Sequence, residues 1–407
     1  MNRAVCARLA PVLAFIFSAP LAAQGSVTSN AFNPAMSLIL DGRFATFDNN
    51  PEAYELPGFM LGGEAGLGAE GFVLGHSELV LSANIDDQYY GQFTAAVADH
   101  AGETEVELEE AFIQTLGLGG GFTVKAGRFF SGIGYLNEQH MHVWDFADAP
   151  LVYRGLFGDQ LRDDGVQLRW LAPTNLFVEL GAEALRGGRF PAGGAANEGA
   201  GAFAAFAKVG GDVGVSHSWR IGLSHWRAEV EDREAGGHSH GHGDEESASF
   251  TGDSAVTGVD FVWKWAPGGN AGERNFKFQA EYFQRDEEGD VTVVAHGNPP
   301  EQGRYDGTQS GWYAQAVYQF TPRWRAGLRY DVLDADNDVD DAHVAEHAGL
   351  DPEGHTPMRW SVMLDFANSE YSRLRLQYNR DESYEAADNQ VVLQYTMSLG
   401  AHGAHPF

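Results

Sequence analysis

The stretch Arg323-Trp-Arg-Ala-Gly-Leu-Arg-Tyr-Asp331 decides how this chain folds. Arg323, Arg325, Arg329 and Asp331 take the odd positions, while Trp324, Leu328 and Tyr330 take the even ones. Successive side chains of a strand point to opposite faces, so one face is wet and the other greasy. The neighbouring segment puts Trp312, Ala314, Ala316, Tyr318 and Phe320 against Gln315 and Gln319. The pattern continues with Met358, Trp360, Val362, Leu364 and Phe366 against Arg359, Ser361 and Asp365. Leu374, Leu376 and Tyr378 oppose Arg373, Arg375, Gln377 and Asn379, and Val391, Leu393, Tyr395, Met397 and Leu399 oppose Gln390, Gln394, Thr396 and Ser398.

A soluble sandwich also alternates, but two features point to a bilayer. Aromatics recur near the ends of the apolar faces (Trp312 and Phe320, Trp324 and Tyr330, Trp360 and Phe366), as in the interface girdles of transmembrane barrels. The opposite faces carry Arg, Gln and Asp, which suits a solvated lumen rather than a second core. Working outward, strand-length segments fall at 36–47, 74–85, 88–98, 105–116, 120–130, 162–171, 174–184, 201–210, 214–228, 254–266, 274–285, 309–320, 322–333, 357–368, 370–380 and 388–399. These sixteen are joined alternately by tight turns and, mostly, by long connections, among them 48–73, 131–161, 229–253, 286–308 and 334–356, with 131–161 the longest. The expected fold is therefore all-β: a transmembrane antiparallel up-and-down β-barrel of about sixteen strands, with short periplasmic turns, long external loops and a third external loop folded into the lumen.

Composition agrees. The chain of 407 residues carries 57 Asp plus Glu against 26 Lys plus Arg, a net charge of −31, which argues against a nucleic-acid partner. With 43% apolar residues it is not expected to be disordered. Residues 1–23 read as a signal peptide: Arg3 and Arg8, an apolar run from Leu9 to Phe17, then Ala22-Ala23 for cleavage. Cleavage would remove the single cysteine, Cys6, and leave 24–407 as the barrel, without a disulfide and without an apolar run long enough for a transmembrane helix. The terminal Phe407 resembles the aromatic that barrel-assembly machinery reads, although Pro406 and His405 depart from that pattern.

On the inner face the alternation places Lys277, Arg323, Arg325, Arg329, Arg359, Arg373 and Arg375 as a basic ladder, either a selectivity wall or groups paired with Glu281, Asp331 and Asp365. If loop 131–161 narrows the lumen, as the equivalent loop does in sixteen-stranded porins, Glu138, His140, His142, Asp145 and Asp148 would face that ladder. His140 and His142 point the same way in an extended loop and suit a divalent metal beside a carboxylate. Loop 229–253 carries His238, His240 and His242 followed by Asp244, Glu245 and Glu246, a tract that favours zinc, copper or nickel. The acidic loop 334–356 sets His343 and His347 at helical i, i+4 spacing.

The runs Gly127-Arg-Phe-Phe130, Tyr135-Leu-Asn-Glu-Gln-His140 and Trp144-Asp-Phe146 resemble those of a family of proteobacterial outer-membrane barrels described as zinc-regulated or TonB-dependent-receptor-like. The resemblance implies a link to zinc acquisition. Only Gln24 to Ala35 precede the first expected strand, which leaves no room for the plug domain of an energy-coupled receptor. The functional expectation is a passive porin-like channel for divalent cations such as Zn²⁺, in which the ion is cargo and no cofactor is required. The alternatives are a channel for small anions using the Arg ladder, or a surface metal-binding or adhesive barrel. No Ser/His/Asp set stands out, so an enzyme is not expected. Partners to expect are outer-membrane lipid, the barrel-assembly machinery, divalent metal ions and, as an open option, two further copies in a homotrimer.

Overall fold

The computed structural model describes residues 34–62, 65–100, 103–193, 199–235, 247–295, 298–384 and 386–400. The expected leader, the tract His238, His240, His242, Asp244, Glu245 and Glu246, and Phe407 lie outside the described residues. The strands are β1 (Ala35–Thr46), β2 (Gly71–Leu74), β3 (Ser77–Asn84), β4 (Tyr89–His100), β5 (Glu103–Thr115), β6 (Phe122–Phe130), β7 (Arg162–Leu171), β8 (Phe177–Leu185), β9 (Ala202–Val213) and β10 (His217–Glu234). They continue as β11 (Ser247–Trp265), β12 (Asn275–Val294), β13 (Glu301–Thr321), β14 (Trp324–Val339), β15 (Met358–Ser369), β16 (Ser372–Glu382) and β17 (Asp388–Gly400). Two short helices, α1 (Leu151–Phe157) and α2 (Ala342–His347), sit in connections.

From β3 onward each strand pairs antiparallel with the next, and β1 closes the ring on β17 through a ladder from Ser37–Gly400 to Thr46–Val391. Both β2 and β3 pair with β1, so they are two pieces of one barrel strand interrupted at Gly75 and His76. The result is a closed up-and-down barrel of sixteen strands with one strand split, as the alternation predicts.

Burial is inverted relative to a soluble protein. Arg285, Arg329, Arg359 and Arg375 are among the largest fully buried side chains, while Trp312, Leu328, Trp360, Val362 and Leu376 lie bare on the outside. Only hydrocarbon makes that arrangement favourable, because burying charge without partners is costly and exposing an apolar belt to water is unfavourable. Trp324 and Phe366, with ring centroids 4.8 Å apart, edge the belt on the turn side. Tyr330 contacts Trp360 at 4.1 Å and Trp312 at 5.6 Å on the loop side. A charge between these girdles meets lipid. Leu328→Arg is expected to destabilise the barrel by about 2–4 kcal/mol, read as the free energy of refolding into vesicles.

The external connections differ from expectation. Segment 286–308 is largely strand, and strand also fills 229–234, 247–253 and 334–339, because β10 to β14 continue well past the bilayer, with pairs such as Asp290–Arg304 and Asp306–Asp338. Their outer face changes character at the girdle: beyond Tyr282 it reads Gln284, Asp286, Glu288, Asp290. Apolar alternation ends where lipid ends, but backbone pairing does not.

Candidate functional site

Loop 131–161 enters the lumen and is tied to the wall all round. At its base, Asn137 Nδ2 donates to the carbonyls of Ser131 and Leu161, and its Oδ1 accepts from Leu161 N. Gly132 N donates to Glu183, and Tyr135 N and Leu136 N donate to Glu281 at 2.8 and 3.0 Å. Gly134 adopts φ +61°, and a Cβ there would collide with Glu281 and Tyr153, so only glycine brings the chain this close to the wall.

The basic ladder holds the far end of this loop. Asp148 accepts from Arg329 (2.7 Å), Arg359 (3.1 Å), Gln377 (2.7 Å) and Asn379 (2.9 Å). Asp145 pairs with Lys277 and Arg325, and Arg325 and Arg375 also grip Asp365. Arg373 and Arg375 donate to loop carbonyls of His142 and Trp144. Burial alone would raise the Asp148 carboxyl, but Arg329 and Arg359 outweigh it and hold it well below the ordinary carboxylate range. Asp145 and Asp148 therefore lie against the ladder. As an open selectivity wall the ladder needs correction: Arg329, Arg359 and Arg375 lie buried under the loop as its anchor, and Arg323 sits exposed at the β13–β14 turn. Glu138 faces elsewhere, toward Arg169 and Lys208.

One side of the outer lumen is solid. Leu151, Val152, Tyr153, Leu156 and Phe157 of α1 pack with Tyr54, Leu56, Phe59 and Met60 of the first external connection. They meet inward-facing Phe250, Phe283, Val291, Tyr305, Tyr313 and Leu333 of β11 to β14. Space remains on the opposite side. An outer cavity of about 480 Å³ borders His76, Glu105, Glu107, Met141 and Asp148, and an inner one of about 770 Å³ borders Glu138, His140, His142, His217 and Lys277.

Between these cavities His140 and His142 meet an acidic wall. His142 Nδ1 lies 2.8 Å from Glu78 Oε1, and His140 Nδ1 lies 3.0 Å from Glu78 Oε2 and 3.5 Å from Glu109 Oε2. His140 Nε2 contacts Glu110 Oε2 at 2.9 Å, and His76 Nε2 contacts Glu109 Oε1 at 2.9 Å. Burial would push the His140 imidazole down, yet Glu78 and the two other carboxylates hold it well above its usual value. Among the described residues two triads, Glu78/His140/His142 and His76/Glu78/Glu109, each place their ligand atoms within 4.8 Å of one another. Imidazole and carboxylate in this number suit a divalent ion of the zinc, copper and nickel type.

Sequence reasoning names His140 and His142 but not their partners. Glu109 and Glu110 are consecutive, yet both are buried in the lumen, because a register shift opposite Thr94 and Ala95 makes a β-bulge. His343 and His347 do come together, their rings stacked at 4.0 Å, with His343 3.0 Å from Glu301. On the outer rim His343 is exposed and His347 half-buried, unlike the buried carboxylates of the neck.

No known family model matches the chain. An uncharacterized protein of Aquifex aeolicus (strain VF5) is 32% identical over 406 residues, which cover 93% of this chain and 81% of that protein. The chain belongs to that protein's family. Solved structures share the family's fold at low identity. A loop L8 deletion mutant of OmpT, an outer membrane protein of Vibrio cholerae, superposes with TM-score 0.53 at 11% identity, over 91% of this chain and 100% of that one. The outer membrane channel DcaP of Acinetobacter baumannii gives 0.52 at 13%, covering 90% and 96%. An anion-selective porin from Comamonas acidovorans gives 0.50 at 11%, covering 90% and 99%. With its lipid-facing belt, this member of the family is an outer-membrane barrel of the Gram-negative type.

Proposed function

We propose that the barrel is a porin-like channel through which small cations, divalent metal ions above all, diffuse passively along the neck between His140–His142 and Glu78–Glu109. The observation that carries this reading is the meeting of three buried carboxylates and three imidazoles between an outer and an inner cavity. A cation passing there exchanges water for carboxylate oxygen and imidazole nitrogen, whereas an anion meets Glu78, Glu109 and Glu110. The zinc-linked resemblance supports the same cargo, and the His238–His242 tract would raise the local ion concentration at the mouth. Acting as a channel, the protein forms no covalent intermediate and is not an enzyme. The anion reading finds less support, since four of the arginines it needs, Arg325, Arg329, Arg359 and Arg375, are already paired with Asp145, Asp148, Asp331 and Asp365.

Planar-bilayer reversal potentials under a salt gradient test the proposal. The expected result is cation selectivity with measurable Zn²⁺ permeation, and monovalent current reduced by added Zn²⁺. Anion selectivity unaffected by zinc overturns it.

A further inference from the structure

The two triads are not equivalent. His76 borders the outer cavity, His140 and His142 border the inner one, and Glu78 belongs to both sets. Glu78 is 0% and Glu109 1% exposed, so neither carboxylate can turn to water. Even so, Glu78 Oε2, Glu109 Oε2 and His140 Nδ1 find no hydrogen-bond partner of good geometry, although they lie within 3.5 Å of one another along the chain His140–Glu78 and His140–Glu109. Buried polar atoms left so are costly unless something binds them. A dication in the outer triad takes up Glu109, one in the inner triad takes up His140, and either takes up Glu78. The far side of His140 is already arranged for it: Nε2 faces Glu110 at 2.9 Å, the carboxylate support that orients a metal-bound imidazole.

We infer that the neck offers a divalent ion two overlapping positions that share the Glu78 carboxylate, an outer one completed by His76 and Glu109 and an inner one completed by His140 and His142. This rests on the channel reading above. Passage is then a hand-over: Glu78 keeps hold of the ion while its imidazole partners change from the outer cavity's to the inner cavity's. Two dications sharing one carboxylate repel strongly at this spacing, so one ion occupies the neck at a time. The absence of thiolate among the ligands, and the split between two triads, suit a site that must bind and let go.

The test uses Co²⁺ alone as the probe, on the full barrel in detergent carrying H238A, H240A and H242A so that the mouth tract contributes nothing. The parent barrel is expected to bind one Co²⁺ at the neck. His142→Ala and His76→Ala are each expected to keep one Co²⁺ with reduced affinity, the two association constants adding up to the parent's, and with visible absorption spectra that differ from each other: one histidine and two carboxylates remain in the outer position, two histidines and one carboxylate in the inner. Glu78→Gln is expected to lose the ion from both. If His76→Ala leaves affinity and spectrum unchanged, there is only an inner site and the hand-over is overturned. Retention of parental binding in Glu78→Gln overturns the shared ligand. Should Glu78→Gln not fold, the two histidine variants decide the matter alone. Binding in detergent does not require permeation, so failure of the bilayer experiment rejects the channel reading while this titration judges the two positions separately.

Discussion

Asp148→Ala is expected to open the lumen. Asp148 is the acceptor on which Arg329, Arg359, Gln377 and Asn379 converge, and Arg329 and Arg359 are 1% and 0% exposed beneath it. Removing one partner of a buried ion pair leaves an uncompensated charge, a cost of about 3–5 kcal/mol. In a soluble core that cost would fall on the whole fold. A barrel has a cheaper response, since its ring is closed by the β1–β17 ladder without help from the loop. The loop lifts, water reaches the two guanidinium groups, and the ring persists. At about 1.4 kcal/mol per tenfold, the docked state loses on the order of a hundredfold or more in population. The measurement is single-channel conductance, expected to rise and become noisy, with far-UV circular dichroism unchanged. An unchanged conductance would sink the idea that this carboxylate latches the loop.

The pH dependence has a definite sign. Asp148 has a folded pKa held below its unfolded value, so its contribution is fully present above about pH 4, the unfolded carboxylate value, and is lost only as pH falls through the lowered folded one. Mild acid therefore does not release the latch. Wild-type conductance between pH 7 and 5 is expected to keep the loop-docked level, whereas Asp148→Ala shows the raised level throughout.

How much of this could be read in the sequence depends on where each residue sits relative to lipid. In β13 to β17 every second residue must be apolar to face hydrocarbon, so Trp312, Leu328, Trp360, Leu376 and Leu393 announce their strands, and their inward neighbours follow by parity. The same rule gave the inward side of the ladder and offered Glu281, Asp331 and Asp365 as partners, but could not choose between pairing and an open wall. Whether Arg329 faces water or Asp148 depends on how loop 131–161 drapes, a matter of contacts between residues 181 apart in sequence. The acidic half of the neck was harder still. Alternation assigns Glu109 and Glu110 to opposite faces, and only the bulge in β5 turns both inward; His76 lies in the break between β2 and β3, where parity resets. The available hint was the run Glu105-Val-Glu-Leu-Glu-Glu110, too acidic for a strand whose lumen face is not loaded with cations or metal. The long extensions of β10 to β14 were missed for the opposite reason, since outside lipid nothing forces the outer face to be apolar.

Glu78→Gln combined with Glu109→Gln is expected to weaken the cation selectivity of the channel. These two carboxylates are the least exposed charges of the neck, at 0% and 1%, so solvent screens them poorly. A cation about 4 Å from one of them gains roughly 4 kcal/mol at an effective dielectric near 20, before its own dehydration is counted. The amides keep the size of the side chains and retain an oxygen toward His140 and His142, but they carry no charge. What then remains around the neck is His76, His140, His142 and Arg162, whose guanidinium faces Glu109 and Glu107 in the parent, against Glu107 and Glu110. The neck loses two of its negative charges while its imidazoles and Arg162 stay. The reversal potential under a tenfold KCl gradient should move toward the anion side, by a permeability ratio change of at least tenfold, and Zn²⁺ should no longer reduce the current. If the double variant stays as cation-selective as its parent, ions do not pass along the β3–β5 wall, and the route lies elsewhere in the lumen.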